Sequence, residues 1–391
     1  MIAIAISLVY ILLVNKINVL LKIVFHKNTI FYVSLVSLPF LYYLLITVYF
    51  GEMDFTYLTQ YKRLLFYFGG AAIVSVFIAS LIDFDNYQLV KLFRAVVVIQ
   101  LVIMLAAFFF PAFRDVIALT KPDHLVAVAS SYGGGGVRGL SLSGPQFFGL
   151  SVILSFILFL LVLEEYNTKN RSYIYVLYAM MLLFFMSAGR VVLVAGFVFF
   201  VYLIFQNSRK SYYLVLRLLV LFIIAITIMI TMYFYIFPES IKLRVDNFTR
   251  FSFEFIYNYI DNGKLETSST NHLFTMYFPI SLETFLFGDG RYSDPTTRYY
   301  MDTDSGYMRQ VLASGFMSFF VFFFSTIYML YYCVRDISMR NSDGFIGIML
   351  SSVLLLAIFH YKGEVFGYFL NLHMILWVFY FVYRCKKENE Y

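Results

Sequence analysis

Apolar stretches of about twenty residues recur along this chain, centred near residues 8, 40, 71, 100, 154, 180, 197, 224, 320, 352 and 374, about eleven in all. Within a bilayer every backbone N–H and C=O must be satisfied inside the chain, so segments of this kind fold as helices. The chain is 61% hydrophobic and 13% charged, with a mean hydropathy of +0.80; soluble domains carry about 25% charged residues. These values exclude an ordinary soluble fold and predict an all-α, polytopic integral membrane protein with a single membrane domain over 1–391. The first segment is the weakest, because Asn15 and Lys16 interrupt it. Its start, MIAIAISLVYILLVNK, has no basic n-region and no small-residue cleavage site, which predicts a retained helix.

The formal charge of +6 is mostly a topology signal. With eleven spans, Lys16, Lys22, Lys27, Lys91, Arg94, Lys169, Arg171, Arg209, Lys210, Arg335, Arg340, Arg384, Lys386 and Lys387 fall on one side, which the positive-inside rule makes cytoplasmic. The opposite side then holds two long loops, 111–144 and 238–306. No basic stripe stands on a soluble domain, so nucleic acid is not an expected partner. Cys333 and Cys385 have no paired spacing for a disulfide or zinc site and are expected as free thiols. The 47 Phe and 34 Tyr are abundant, but aromatics at span ends read as ordinary interface anchors and imply no cofactor.

In such a chain the informative residues are those that break the apolar pattern. Arg190 interrupts a run from about Tyr173 to Phe205, too long for one crossing and about long enough for two, with a turn expected at Ser187-Ala188-Gly189. An ionisable side chain there is either a functional residue or a snorkelling turn arginine. The first long loop brings Gly133 to Gly136 and then Arg138 to a span opening near Gly144-Pro145; Arg138 is a ligand or a solvated linker residue. The second begins PESIKLRVDNFTRFSFEFIYNYIDNG, with apolar residues at helical spacing and Lys242, Arg244 and Arg250 between them. This pattern predicts an amphipathic helix on the membrane plane, its basic residues serving surface attachment.

His272, Asp289, Arg291, Arg298, Asp302, Asp304 and Arg309 crowd the segment that follows, before the chain re-enters the membrane at about Tyr307. Asp304 and Ser305 precede an apolar helix, which suits an N-cap, while a carboxylate there also suits a base. His272 reads as an interface histidine or a member of the site. The loop HYKGE, with His360, Lys362 and Glu364, is expected as a solvated turn, with lining of the same cavity as the alternative.

Arginine pairs two phosphate oxygens through its planar fork and stays charged at any relevant pH. Several arginines, a nearby acid and a wide apolar wall suit a lipid pyrophosphate whose polyprenyl tail stays in the bilayer. Fixed cations stabilise a departing pyrophosphate without a metal, and a carboxylate takes the proton of an attacking sugar hydroxyl. No HExxH, Walker loop, dinucleotide fingerprint or clustered Cys/His set is present, so no cofactor and no metal are expected.

The strings VRGLSLSGPQFFG, MSAGR, LFGDG and TDSGYMRQVLASG resemble, in that order, the signatures of the Wzy-type O-antigen and capsule polymerases, which share a superfamily with the O-antigen ligases. The resemblance runs from the third or fourth helix to the ninth. It implies a fold like the C-class membrane glycosyltransferases and transfer of a growing glycan from undecaprenyl pyrophosphate to the non-reducing end of a new lipid-linked repeat unit. It also implies a bacterial inner-membrane location, an active site facing the periplasm, lipid-linked glycans and membrane lipid as partners, and a chain-length regulator and flippase of the same pathway. Arg138, with Gly149 after ten intervening residues, resembles the family's arginine-glycine motif, which the second loop does not repeat. Arg190 resembles the arginine after the small-residue turn, implying a pyrophosphate contact. Asp304 falls where ligases carry histidine and many polymerases aspartate, and His272 where relatives often carry arginine. The resemblance thus implies Arg190, Arg138 and Arg291 as pyrophosphate ligands, Arg309 and His272 as lesser members, and Asp304 as the base. A ligase acting on lipid A core and a lipid-linked oligosaccharide transporter are the competing readings.

Overall fold

The computed structural model describes residues 2–81, 86–123, 125–127, 138, 140–142, 147–168, 172–206, 209–294, 299–338, 345–367 and 369–389. Gly133 to Gly136, Gly144-Pro145 and Arg298 lie outside the described residues. Among the described residues there is no strand, and each apolar window falls on a helix. The helices are α1 (Ile2–Leu13), α2 (Ile17–Val24), α3 (Lys27–Tyr49), α4 (Thr56–Leu81), α5 (Asn86–Phe109), α6 (Pro111–Leu119), α7 (Phe147–Thr168), α8 (Ser172–Phe185) and α9 (Val192–Gln206). They continue with α10 (Arg209–Tyr235), α11 (Glu239–Ser252), α12 (Glu254–Asn262), α13 (Ser268–Thr275), α14 (Leu282–Phe287), α15 (Gly306–Ser338), α16 (Phe345–Lys362) and α17 (Leu370–Asn389).

Six of these, α3, α4, α5, α10, α15 and α16, are long and apolar enough to cross a membrane. Where Asn15 and Lys16 interrupt the first apolar segment, α1 and α2 meet at a 118° bend, with Asn15 at φ +56°. The run around Arg190 breaks at Met186–Val191, as the small residues predict. Its helices α8 and α9 have 14 and 15 residues, about 21–23 Å of rise against a hydrocarbon core of about 30 Å. Each arm is therefore shorter than a straight crossing. The two segments expected as long loops carry helices: α6, which starts on Pro111, and α11 to α14.

The chain divides into two compact units, Met1–Val90 with His272–Tyr391, and Lys91–Asn271. In the first, α17 packs along α4, and α15 packs on α3, α14, α16 and α17. Its core is aromatic: Trp377 donates Nε1–H to Tyr32 at 2.9 Å and meets Phe68 edge-on, while Phe40, Tyr57 and Phe322 cluster beside them. Buried Trp and Tyr satisfy their polar ends this way while burying large rings.

The membrane helix α15 is interrupted at Ser314 and Gly315, where Gly315 has φ +71° and ψ 173°. The LFGDG segment docks on this break, with Asp289 N–H donating to Leu312 O at 2.6 Å. A Cβ on Gly315 would collide with the Leu286 carbonyl, and that backbone region is open only to glycine. Gly315→Ala is expected to cost about 3 kcal/mol or more, seen as loss of monodisperse protein in detergent size-exclusion. Wild-type behaviour would mean that the break re-forms without glycine.

In the second unit α9 packs on α7 and α8 is adjacent to both. The expected amphipathic helix is two helices, α11 and α12, parted at Phe253, with Gly263 in the left-handed region closing α12. Phe248 of α11 sits between Phe108 and Phe184. Arg244 donates to Phe108 O at 2.8 Å, satisfying a carbonyl at the C-terminal end of α5.

Candidate functional site

In the second unit the turn after α8 is shaped by small residues. A Cβ on Gly189 would lie 3.0 Å from Ser151 Oγ of α7, so the turn sits directly on that helix. Arg138 donates to Ala188 O in this turn at 3.2 Å, and its guanidinium lies 4.6 Å from the Phe147 ring centre and 4.9 Å from that of Phe251. The Arg190 guanidinium lies 5.3 Å from the same Phe251 ring. Two arginines expected from separate motifs are thus gathered around one aromatic side chain of α11.

Arg190 also pairs with Glu254, NH1 to Oε2 at 2.5 Å, with both side chains mostly covered. Burial opposes ionisation of Glu254, but the Ser268 N–H and Arg190 outweigh it and hold the carboxyl below the ordinary glutamate range. The Ser187 and Ser252 hydroxyls, one residue from Ala188 and Phe251, are buried without hydrogen-bond partners. Two cations and two spare hydroxyl donors make an anion-receptive cluster. An apolar cavity of about 360 Å³ lies between the neighbouring helices, walled by Tyr178, Leu182, Leu193, Gly196, Phe200 and Leu219.

The first unit holds the acidic partner residues. Because α15 begins at Gly306 and Ser305 O accepts the Arg309 N–H, Ser305 occupies the cap position and Asp304 lies one residue outside it. The capping role expected as one reading of Asp304 is therefore not adopted: its Oδ1 is buried without a hydrogen-bond partner. Burial raises the Asp304 carboxyl above its ordinary range, opposed by His272, Arg309 and Lys362, which lie close enough to act on it. His272 itself is exposed on α13.

HYKGE is not a solvated turn, because His360 is fully buried and Glu364 is 8% exposed. Glu364 accepts from Tyr292 OH at 2.6 Å and Gln310 Nε2 at 3.3 Å, and lies 3.5 Å from Arg309 NH1. The Arg309 guanidinium stands 4.1 Å from the Tyr292 ring centre and 4.3 Å from that of Tyr299. Glu364→Ala removes the carboxylate from a buried cation and is expected to destabilise the protein by about 3–5 kcal/mol, measured as thermal midpoint in detergent. An unchanged midpoint would show that Arg309 is held without the carboxylate.

Arg291 is placed apart from this cluster, on Glu52 at 2.6 Å, with its side chain 45% exposed. The neighbouring Tyr292 and Ser293 N–H groups both donate to Asp54 at 2.7 Å, which pins this segment to the start of α4. The structure thus brings Arg138 to Arg190, and Asp304 to His272 and Arg309. Glu254, Phe251, Tyr292 and Tyr299 were not expected as members, and Glu364 only under the alternative reading of HYKGE. Their only local signal is an acid or ring breaking a pattern, since each partner lies far along the chain. Neither cysteine forms a disulfide, and both are buried.

No family model, curated protein or solved structure matches this chain. What the fold defines is the class: among the described residues the protein is all-helical, with six helices long and apolar enough to cross a membrane.

Proposed function

We propose that this protein is a membrane glycosyltransferase of the polymerising kind, acting on undecaprenyl-pyrophosphate-linked glycans at the periplasmic face of a bacterial inner membrane. The observation that carries the reading is the convergence of Arg138 and Arg190 on Phe251, beside the unpartnered Ser187 and Ser252 hydroxyls. Donors without acceptors around two fixed positive charges favour a phosphate-rich ligand. The apolar cavity between α8, α9 and α10 suits a polyprenyl tail. In the reaction, the acceptor sugar hydroxyl attacks the anomeric carbon of the donor glycan and the carbon–oxygen bond to pyrophosphate breaks. The leaving electron pair ends on the pyrophosphate held by Arg190 and Arg138, and a carboxylate base takes the hydroxyl proton, the role for which the sequence resemblance offers Asp304. His272 and Arg309 set the charge around that carboxyl.

The test is purified protein supplied with lipid-linked repeat units and, separately, with donor plus lipid A core. Chains of graded length from repeat units alone support polymerisation; product only with lipid A core means a ligase. A transporter is the second reading, favoured by the interruption of α15 at Ser314–Gly315, since broken membrane helices build transport sites. Vesicle uptake of the lipid-linked unit without any bond formation would replace the enzyme reading.

The eleven-span topology places 238–306 outside and α17's basic end inside. Lys264 and Lys386 are both exposed, and the native thiols are buried. Lys264→Cys is expected to react with an impermeant maleimide on intact spheroplasts and Lys386→Cys only after permeabilisation. The reverse pattern would invert the topology.

A further inference from the structure

We propose that Arg384 and His26 form a second phosphoryl-anion site, at the end of the first unit that carries Lys22, Lys386 and Lys387, independent of the glycosyltransferase reading. Arg384 lies on α17, is 8% exposed, and has its guanidinium 5.7, 5.5 and 5.7 Å from the ring centres of Tyr332, Tyr380 and Tyr383. Among the described residues no carboxylate lies within ion-pair distance of it; Glu388, one turn further along α17, pairs with Lys22 at 3.9 Å and acts on His26 through space. Its Nε is buried without a hydrogen-bond partner. A guanidinium cannot shed its charge, so burial without a counter-ion is costly, and tyrosine faces offset only part of that cost.

The contact with His26 sharpens the case. His26 caps α3, with Nδ1 accepting the Asn28 N–H at 3.1 Å. A backbone N–H only donates, so Nδ1 is the acceptor nitrogen and the ring hydrogen sits on Nε2. Nε2 faces Arg384 NH1 at 3.4 Å, which sets one donor against another. The other polar contacts of Arg384 are tyrosine hydroxyls: NH2 to Tyr332 OH is long at 3.5 Å and that hydroxyl already accepts from Asn28 Nδ2 at 3.0 Å, while Tyr380 OH is shared with Thr29 at 2.8 Å. An anionic oxygen between NH1 and Nε2 would accept from both, and a phosphate offers a second oxygen at the spacing of the guanidinium fork.

The surroundings fit such an anion. Arg335 and Lys387 lie 5.1 and 5.3 Å from the Tyr383 ring centre, and Lys386 is exposed beside them. Basic pockets between membrane helices bind the phosphate of anionic lipid headgroups, and a free phosphate would satisfy the same donors.

The test uses the full chain in phosphatidylcholine nanodiscs, with native mass spectrometry for retained lipid and thermal midpoint for stability. Phosphatidylglycerol is titrated in one arm and inorganic phosphate in the other. Saturable retention of phosphatidylglycerol, falling about tenfold in Arg384→Lys and in His26→Leu, assigns the site to a lipid headgroup; the lysine keeps charge but loses the fork. Stabilisation by inorganic phosphate with no lipid retention, abolished by the same changes, assigns it to the free ion. Lys264→Cys, remote in sequence and assigned no part in this site, should bind as wild type. Equal retention of both lipids with no phosphate effect overturns the proposal, as does binding unchanged in both variants. If Arg384→Lys does not fold, His26→Leu alone decides.

Discussion

Arg190→Lys is expected to lose about 10²–10³-fold of polymer formation, the usual loss when one group stabilising developing negative charge is removed. Lysine retains the charge and the reach toward Glu254, so the ion pair at the turn survives in part. Partly exposed pairs are worth about 0–1 kcal/mol, so protein level and thermal midpoint should hardly move. What lysine lacks is the planar pair of donors suited to two phosphate oxygens, which in Arg190 stands 5.3 Å from the Phe251 ring centre. Arg250→Ala supplies the contrast, because Arg250 is exposed and lies over Tyr257 at 5.6 Å; it should stay within about twofold of wild type. The measurement is initial rate of chain growth from purified lipid-linked repeat units. Wild-type rates in Arg190→Lys would remove the arginine from pyrophosphate binding and leave it a turn residue tied to Glu254.

Asp304→Asn should be the second severe loss, about 10²–10⁴-fold, as expected for removal of a general base. The same change should not weaken the fold. Burial lifts the Asp304 carboxyl above its ordinary range against the pull of His272, Arg309 and Lys362, so the folded protein keeps this proton to higher pH than the unfolded chain. The stability that goes with the protonated acid is present at low pH and is lost as pH rises through the raised value. Asparagine resembles the protonated form at every pH, so the variant should be as stable as wild type or more so in neutral buffer, while inactive. Wild-type rate should climb with pH across the same interval, since only the ionised carboxylate accepts a proton. A variant that is both active and stable would move the base elsewhere; one that is inactive because it unfolds would return Asp304 to a structural role.

Helix positions and the break before Arg190 were legible because both are set by nearest neighbours along the chain. Apolar runs must satisfy their own backbone, and Ser187-Ala188-Gly189 is a local interruption of one. The bend after α1 likewise sits on Asn15 and Lys16, where polarity rises within two residues. Helix length was less legible: the residues flanking Arg190 are as apolar as a span, yet α8 and α9 stop short, because the turn packs on Ser151 of a different helix.

Pairing was set by the tertiary fold alone. Glu254 stands 64 residues from Arg190, and Glu364 joins Tyr292 across 72 residues; sequence spacing carries no trace of either. Burial reversed two local readings, turning the polar string HYKGE into the inside of a cluster and moving Asp304 off the cap that Ser305 takes. By itself the sequence determined that the chain is helical and membrane-like, and which few side chains are too polar to be lipid-facing. Which of those side chains share a site depended on the tertiary structure, because charge, desolvation and hydrogen bonding act through a few ångströms of space, whatever the distance along the chain.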